Sequence, residues 1–419
     1  MNRVRTLFLL LVLSVAPLSA QHTITLQQVR QAALANSPNT TDKQLLLEAG
    51  ELRAKTVNNA WLPQVKGVVQ GTYQSEVTEF DLSAMGFPAI TISPDQYHAG
   101  FEVQQTIYEF GATKAKHDLE LTTAQAQAAR SDVDLLSVTQ RMDKLYATLL
   151  LQRSGLEILR SRAKDLHAQL EQVSSAVRNG VSLKSNEEVL KAESLTTQQQ
   201  IVTSETGLAQ TVSELSIWTG LTLDTTMTFV LPQAPAPAGM GQRPELRAFE
   251  LQRSGLDVQA KLLKKGNLPH LAAFGNGYYG RPGFNFLNND FRTYGIVGVG
   301  MNWNLAGYYT QGKQLQENTV QQKLIDDRKR IFELQQATDL EREAKEITKL
   351  DRLAELDSSI VESKTFVRKA AASQLENGVI TAQDYVTYQN AQDQAKLNLE
   401  LHRIQAVMAR IAYQLTQGN

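Results

Sequence analysis

The sequence repeats one structural plan. Residues that break helices or form turns recur in the same order in both halves of the 419-residue chain. At an offset of 206 positions the matching pairs are Pro38 and Pro244, Leu62-Pro63 and Leu268-Pro269, and Gly71-Thr72-Tyr73 and Gly277-Tyr278-Tyr279. Further on, Phe110-Gly111 matches Ala306-Gly307 at an offset of 196, and Asn179-Gly180-Val181 matches Asn377-Gly378-Val379 at 198. A duplication of this length predicts two copies of one structural unit.

Residues 1–20 have the pattern of a secretory signal peptide. Arg3 and Arg5 precede an apolar run over 7–15, and Ser19-Ala20 forms a small-residue cleavage site. The run is too short to cross a bilayer, so we expect export with cleavage rather than an uncleaved anchor. After residue 20 no segment approaches the roughly 20 apolar residues of a membrane helix. If this chain enters a membrane, β-strands must form the membrane-spanning part.

Each copy begins with a helix and continues with two strands. Pro38 to Trp61 and Pro244 to Asn267 have apolar residues at helical spacing, and a Leu-Pro pair ends each segment. The clearest strand alternates Val297, Val299 and Met301 with glycine and asparagine. Such alternation over about ten residues is typical of a membrane barrel strand with lipid outside and water inside. A half-buried strand of a soluble sandwich has the same period. Long polar loops, about 76–97 and 281–292, favour the membrane strand.

Very long helices follow the strands. The segment 111–178 lacks proline and has Gly155 as its one internal glycine, and the segment that begins at Gly312 and runs to 377 has no proline and no internal glycine. At 1.5 Å per residue the first would extend about 100 Å. The second has a narrow apolar stripe suited to coiled-coil packing, with these members: Ile331, Leu334, Leu340, Ala344, Ile347, Leu350, Leu353, Leu356 and Ile360. The charged residues between them predict a solvated helix surface.

An Asn-Gly-Val turn ends each long helix, and a second long helix returns from it. Glycine favours the left-handed backbone that terminates a helix. We expect Ser185 or Asn186 to cap the first returning helix, with Glu187 and Glu188 in its first turn. Thr381 and Asp384 have the spacing of a capping box for the second.

These elements define the predicted domains. They are a signal peptide at 1–20, a first repeat at 21–220 (hairpin about 63–108, long helices about 111–220), a Pro-rich linker at 221–243, and a second repeat at 244–419 (hairpin about 269–305, long helices about 310–417). Two hairpins give four strands, which cannot close a barrel with a lumen, and lipid does not tolerate an open sheet edge. Several chains must therefore share one barrel. A long helix pair with a narrow apolar stripe likewise has no core of its own and needs helices of other chains beside it.

This ordered set of features resembles the TolC-like outer-membrane efflux protein family over about 24–417. The resemblance implies an α+β membrane protein in which a trimer forms a twelve-stranded β-barrel continued by a twelve-helix α-barrel tunnel. It also implies a location in the outer membrane with a periplasmic extension. The expected partners are a periplasmic adaptor (membrane fusion protein), an inner-membrane RND or ABC transporter and outer-membrane lipid.

The resemblance also implies where the functional residues lie. Asp384 matches an acidic position that rings the periplasmic entrance in the family, and Thr387 stands where a second acid is expected. On the first-repeat side Asn186 matches by counting from Gly180, whereas Glu188 matches by aligning the helix that follows. The basic and aromatic latch positions of the family fall on Ile380 and Leu375. The adaptor is expected to contact both turns, that is Asn179, Gly180, Val181 and Ser182 together with Asn377, Gly378, Val379, Ile380 and Thr381. For Asp384 the alternative is simple helix capping.

The residues indicate no enzyme, cofactor or metal site. Histidines at 22, 98, 117, 167, 270 and 402 lack the spacing of metal ligands. The chain has no cysteine, which excludes thiol catalysis and Cys-ligated metals. A net charge of -1 gives no sign of nucleic-acid binding. We therefore expect a passive export duct for cargo that the sequence does not identify. The alternatives are a type I protein-secretion duct or a periplasmic coiled-coil adaptor or scaffold.

Overall fold

The computed structural model describes residues 23–80, 83–86, 90–234, 236, 238–285 and 287–419. The predicted signal peptide at 1–20 lies outside the described residues, as do Pro235 and Pro237 of the predicted linker. Parts of the predicted loop at 76–97 also lie outside them.

Helices make up most of the described chain. Their bounds are α1 Leu26–Asn36, α2 Pro38–Asn58, α3 Ala112–Arg178, α4 Lys184–Thr219, α5 Pro244–Gly266, α6 Tyr308–Glu376 and α7 Ala382–Gln417. Pro38 and Pro244 occupy the first turn of α2 and α5, where a missing N–H costs no helical hydrogen bond. The long helices α3 and α6 lie where the absence of proline predicts them. Helix α1 has no counterpart in the sequence predictions.

The strands form one four-stranded sheet and two short pairs. Their bounds are β1 Thr23–Ile24, β2 Gln64–Tyr73, β3 Glu79–Phe80, β4 Ile90–Thr91, β5 Asp95–Tyr108, β6 Thr228–Phe229, β7 His270–Arg281 and β8 Arg292–Asn302. The large sheet is antiparallel in the order β2-β5-β7-β8. Pairing of β5 with β7 therefore joins the hairpins of both repeats in one sheet.

The register gives this sheet one apolar and one polar face. Residues directly opposite on neighbouring strands share a face, and the face alternates along each strand. The apolar face carries Val65, Val69, Phe101, Val103, Tyr279, Val297 and Val299. Val69 and Val297 are 88% and 85% exposed, so the chain itself does not cover this face. The polar face carries Lys66, Gln70, Glu102, Gln104, Asn276 and Arg292, with Phe274, Tyr278 and Tyr294 among them.

One irregularity interrupts the predicted alternation. The register of β5 against β7 shifts between Thr106 and Tyr108, so Ile107 is the extra residue of a bulge. Ile107 therefore does not continue the alternation that Phe101 and Val103 follow in β5.

The chain folds into two compact units that cut across the repeats. One contains residues up to 36, 138–236 and 343–412, and the other contains 37–137, 237–342 and 413–419. Each unit thus takes segments from both copies, and α3 and α6 contribute to both units. Sequence duplication and compact packing divide this chain differently.

In the first unit a buried tyrosine holds the start of the described chain. The parallel pair β1–β6 lies beside α3, and the Tyr146 hydroxyl lies 2.9 Å from the carbonyl oxygen of Ile24. It also lies 2.7 Å from the carbonyl of Val230 and accepts from the Val230 N–H at 3.0 Å. Burial raises the pKa of Tyr146 to about 12, so the hydroxyl stays protonated and able to donate.

In the second unit each repeat packs its short helix on its long one. Lys43 of α2 pairs with Asp132 of α3 at 2.6 Å, and Arg253 of α5 pairs with Asp326 of α6 at 3.0 Å. At Gly50 an added Cβ would lie 2.2 Å from the Cβ of Ala124, so glycine permits the close approach of α2 to α3.

Candidate functional site

Both long helices end in the same hydrogen-bonded turn. Gly180 and Gly378 have φ values of 72° and 71°. In the first turn the Val181 N–H donates to the carbonyl of Ala176 at 2.8 Å, and in the second Val379 donates to Gln374 at 2.8 Å. These six-to-one bonds, with a left-handed glycine, define a Schellman motif at each helix end. The predicted role of Asn-Gly-Val is confirmed, with glycine as the left-handed residue.

The second returning helix begins with the predicted capping box. The Asp384 N–H donates to the Thr381 hydroxyl at 3.2 Å, and the Thr381 N–H donates to the Asp384 carboxylate at 3.0 Å. The Thr381 hydroxyl also donates to the Asp384 carboxylate at 2.7 Å. These bonds from Thr381 lower the pKa of Asp384, which is exposed. Helix capping by Asp384 is therefore present in the structure.

The first returning helix begins differently, and the predicted cap is wrong. The residue before α4 is Leu183, which makes no capping bond, so neither Ser185 nor Asn186 is the N-cap. The helix starts two or three residues earlier than a cap at Ser185 or Asn186 would place it, so Glu187 but not Glu188 lies in its first turn. Glu187 accepts from Ser174 of α3 at 2.7 Å and from Lys184 at 2.5 Å. Lys184 and then Ser174 lower the pKa of Glu187.

Asn186 instead caps the helix of the other repeat. Its side-chain oxygen accepts the N–H of Ala382, the first residue of α7, at 3.1 Å. Asn186 and Asp384 occupy equivalent positions in the two repeats, 198 residues apart. Because Leu183 offers no hydroxyl where Thr381 does, Asn186 has no local capping partner of that kind. Both equivalent side chains consequently stabilise the same helix N-terminus.

The two turns enclose a cavity of about 1130 Å³. Residues of both turns line it, including Asn186 and Asp384. Beneath it lies an apolar core that combines α3, α4, α6 and α7, with these buried members: Leu166, Val173, Leu190, Ala371, Leu375, Ala382, Tyr385 and Val386. At the tips, Val181, Leu183 and Val379 are 78%, 70% and 69% exposed. The turns thus present apolar side chains to solvent on a firmly packed base.

The structure brings together only part of the predicted entrance set. Glu188 lies outside the cavity lining, and its carboxylate is 3.3 Å from the Lys184 ammonium. Thr387 also lies outside the lining, and its hydroxyl donates to the carbonyl of Gln383 in its own helix at 2.9 Å. Of the predicted turn residues, Gly180 alone is absent from the lining. Leu375, at a latch position of the family, is buried, and Ile380 packs against the apolar core.

Sequence reasoning missed a partly buried layer of charged residues, which lies on the side of this core away from the turns. Arg162 of α3 contacts Glu193 of α4, and its Nε lies 3.8 Å from Asp393 of α7. Arg368 of α6 lies 3.5 Å from Asp165 of α3. Burial raises the pKa of Asp393, against the opposing effect of Lys396 and Arg162. The available signal was the polar side chains of Gln389, Gln392 and Asp393 at helical spacing on the buried side of α7.

The described residues give no indication of a metal centre or a membrane-spanning helix. Within residues 23–419, less the undescribed positions, no group of three or more histidine, aspartate and glutamate side chains could hold a metal ion. No helix of the described chain is both long and apolar enough to cross a membrane.

Comparison with known proteins bears out the predicted resemblance. Residues 29–221, which make up most of the predicted first repeat, match the outer membrane efflux protein family. This match confirms the resemblance over that segment. No curated protein matches the chain.

Solved structures show the same fold over nearly the whole chain. The outer membrane protein VceC of Vibrio cholerae superposes with a TM-score of 0.70 at 15% identity, covering 94% of this chain and 96% of its own. The CmeC outer membrane channel of Campylobacter jejuni gives 0.69 at 12%, covering 94% and 86%. The open state of the MtrE outer membrane channel of Neisseria gonorrhoeae gives 0.67 at 16%, covering 93% and 88%. The predicted fold class is confirmed by these structures.

The capping box predicts a measurable effect at the start of α7. Replacing Thr381 with alanine removes the acceptor of the Asp384 N–H, and loss of such a cap is expected to speed exchange of that amide by about tenfold. In the unaltered protein the Thr381 N–H donates to the Asp384 carboxylate, so protection of that second amide should be lost as the pH falls below 3.8 and the carboxylate is protonated, because the capping bonds hold the pKa of Asp384 under that ordinary value. Hydrogen exchange read by mass spectrometry, corrected for the intrinsic rate, measures both effects.

Thr387→Ala is the matched control, since the Thr387 hydroxyl bonds a helix carbonyl and no first-turn N–H. Equal exchange rates in the Thr381 and Thr387 variants would contradict a capping role.

Proposed function

We propose that this protein is the outer-membrane channel of a tripartite efflux system, conducting cargo passively across the periplasm and outer membrane. The observation that carries the proposal is the large sheet, whose apolar face is exposed while its reverse is polar. Lipid on one side and water on the other would satisfy both faces. The match of residues 29–221 to the outer membrane efflux protein family supports the same function.

The sheet also supports assembly as a homotrimer. Among the described residues, β2 and β8 have no partner on their outer sides, and unpaired edges are not tolerated in lipid. Three chains with four strands each would supply twelve strands and allow closure. In α6 the predicted coiled-coil stripe leaves Ile331, Leu334 and Leu356 more than half exposed. Neighbouring subunits would cover these side chains.

We further propose that the repeats are the domains of this assembly. Residues 21–220 and 244–419, joined by the linker 221–243, would each supply one hairpin and one pair of long helices. The partners would be a periplasmic adaptor and an RND or ABC transporter of the inner membrane, which supplies the energy. A type I protein-secretion duct shares this architecture and differs in its cargo. A periplasmic scaffold is disfavoured because it would leave the apolar sheet face in water.

Membrane fractionation tests the function directly. We expect the mature protein in the outer-membrane fraction as detergent-dependent trimers that migrate differently after heating. A detergent-independent monomer in the soluble periplasmic fraction would overturn the channel proposal and favour the scaffold.

We propose that Asp384 charges the periplasmic entrance. It is an exposed carboxylate beside the cavity between the turns, and three copies would favour cations over anions. Its capping bonds to Thr381 hold the pKa low and keep the group ionised. Capping and charge are therefore compatible roles.

Substitution separates the two roles of Asp384. Asp384→Asn should lower the cation-to-anion permeability ratio, measured from reversal potentials of single channels in a salt gradient. Asp384→Glu retains the charge and should retain the ratio. Thr381→Ala weakens the cap but leaves the carboxylate, so it also should keep the ratio. Unchanged selectivity in Asp384→Asn would rule out the charged-entrance role.

We propose that the adaptor contacts both turns, at 179–182 and 377–381. The support is the exposure of Val181 and Val379 on a rigid Schellman geometry. Photo-crosslinking side chains placed at Val181 and Val379 should capture the adaptor in cells. The same side chain at Leu195 and Val202, exposed positions in the middle of α4, serves as the control. Capture at the α4 positions and not at the turns would refute this contact.

A further inference from the structure

The polar face of the large sheet carries a cluster of aromatic rings at its end far from the long helices. The rings of His98 and Tyr278 lie 5.2 Å apart, edge to face, and those of Tyr278 and Tyr294 lie 5.6 Å apart. Phe284, from the loop between β7 and β8, folds back onto Tyr294 at 5.0 Å. We name these four residues, together with Glu102, the exit cluster. A loop residue thus extends the aromatic surface beyond the strands.

Glycines hold the rings of the exit cluster against the sheet. Gly100 is directly opposite Tyr278, and a Cβ there would lie 2.8 Å from Cδ1 of the tyrosine ring. The ring therefore lies across Gly100 instead of standing out from the sheet. Gly280 is opposite His98 in the same way, where a Cβ would lie 2.7 Å from the histidine Cβ. The residues His98, Tyr278 and Tyr294 are half-buried, and Phe284 is 59% exposed.

A carboxylate adjoins the rings. The Tyr278 hydroxyl donates to Glu102 Oε1 at 2.7 Å. Lys66 is the residue opposite Glu102 on β2, and within the described part of the chain no ion pair joins the two side chains. The cluster therefore combines aromatic faces with a carboxylate that forms no ion pair with a basic side chain among the described residues.

On the opposite face of the same strands, aromatic rings already contact a cationic side chain. There the Arg281 guanidinium carbon lies 5.8 Å from the centroid of Tyr97 and 5.1 Å from that of Phe291, and Arg281 also pairs with Asp95. Aromatic rings plus a carboxylate thus accommodate a planar cation on the apolar face. Among the described residues, no arginine or lysine lies over the rings of the exit cluster.

We propose that the exit cluster is a binding site for flat organic cations leaving the duct. The inference rests on the proposed function, which places the polar face in the water-filled interior. Ring faces attract cations through their quadrupole, and the Glu102 carboxylate adds charge attraction while repelling organic anions. Three subunits would carry three such sites at the outer end of the channel.

Single-channel recording with a planar organic cation tests the proposal. Naphthyltrimethylammonium, added from the outer side, reaches the exit cluster without passing the periplasmic entrance. We expect it to block the current reversibly, and naphthalenesulfonate, with the same rings and opposite charge, to block far less. Tyr278→Leu and Tyr294→Leu should shorten the blocked dwell time by about tenfold. Glu102→Gln should shorten it as well, whereas Tyr278→Phe, which keeps the ring, should retain most of the block.

Tyr279→Leu is the matched control, because Tyr279 is the next residue along β7 and lies on the apolar face. Each variant is first required to form heat-modifiable trimers with the unaltered conductance in the absence of probe. Three outcomes would overturn the proposal. The first is an equal loss of block in Tyr279→Leu, and the second is unchanged block in Tyr278→Leu and Tyr294→Leu. The third is equal block by naphthalenesulfonate. Conducting channels that show no block would overturn it and leave the proposed function standing. Trimers that do not conduct at all would overturn both.

Discussion

The backbone pairing of β5 with β7 is the contact on which the rest of this structure depends. It turns two separate hairpins into one sheet of four strands, with a single apolar face and a single polar face. Without it, Phe101 and Tyr279 would not belong to the same surface, nor would Glu102 and Tyr278. The same pairing leaves β2 and β8 as edges, and open edges with an exposed apolar face require further strands from other chains. Duplication supplies the strands, and the β5–β7 bonds give them one orientation.

At the turns that end the long helices, the two copies diverge in a way that joins them. Both long helices end in the same Schellman turn, because glycine adopts the required positive φ in each. The residue just before the returning helix is Thr381 in one copy and Leu183 in the other. The hydroxyl of Thr381 completes a local capping box with Asp384, whereas Asn186, equivalent to Asp384, reaches the N-terminus of α7. Because Leu183 replaces the capping hydroxyl in the first copy, Asn186 bonds to the other turn instead of its own, and the two turns are joined.

The partly buried charged layer lies on the side of the apolar core away from the turns and differs from that core in physical character. Arg162, Asp165, Glu193, Arg368 and Asp393 come from four helices, and burial raises the pKa of Asp393. Ion pairs of this kind add little net stability, but sliding one helix along another would separate the charges and leave them unpaired. The apolar residues hold the helices together, and the charged layer restricts how they align.

The sequence alone determined the local structure of this protein. Proline-free length and three-four periodicity located the long helices, alternation located the strands, and Asn-Gly placed both turns, because each depends on the backbone preferences of neighbouring residues. The Thr381–Asp384 cap was equally local. Only the tertiary structure decided the start of α4 at Lys184 and the contacts between distant segments, which are the bond from Asn186 to Ala382, the charged layer and the exit cluster. Their members lie far apart in the chain, and a side chain's partner across two helices or strands is set by packing and register rather than by its own sequence surroundings.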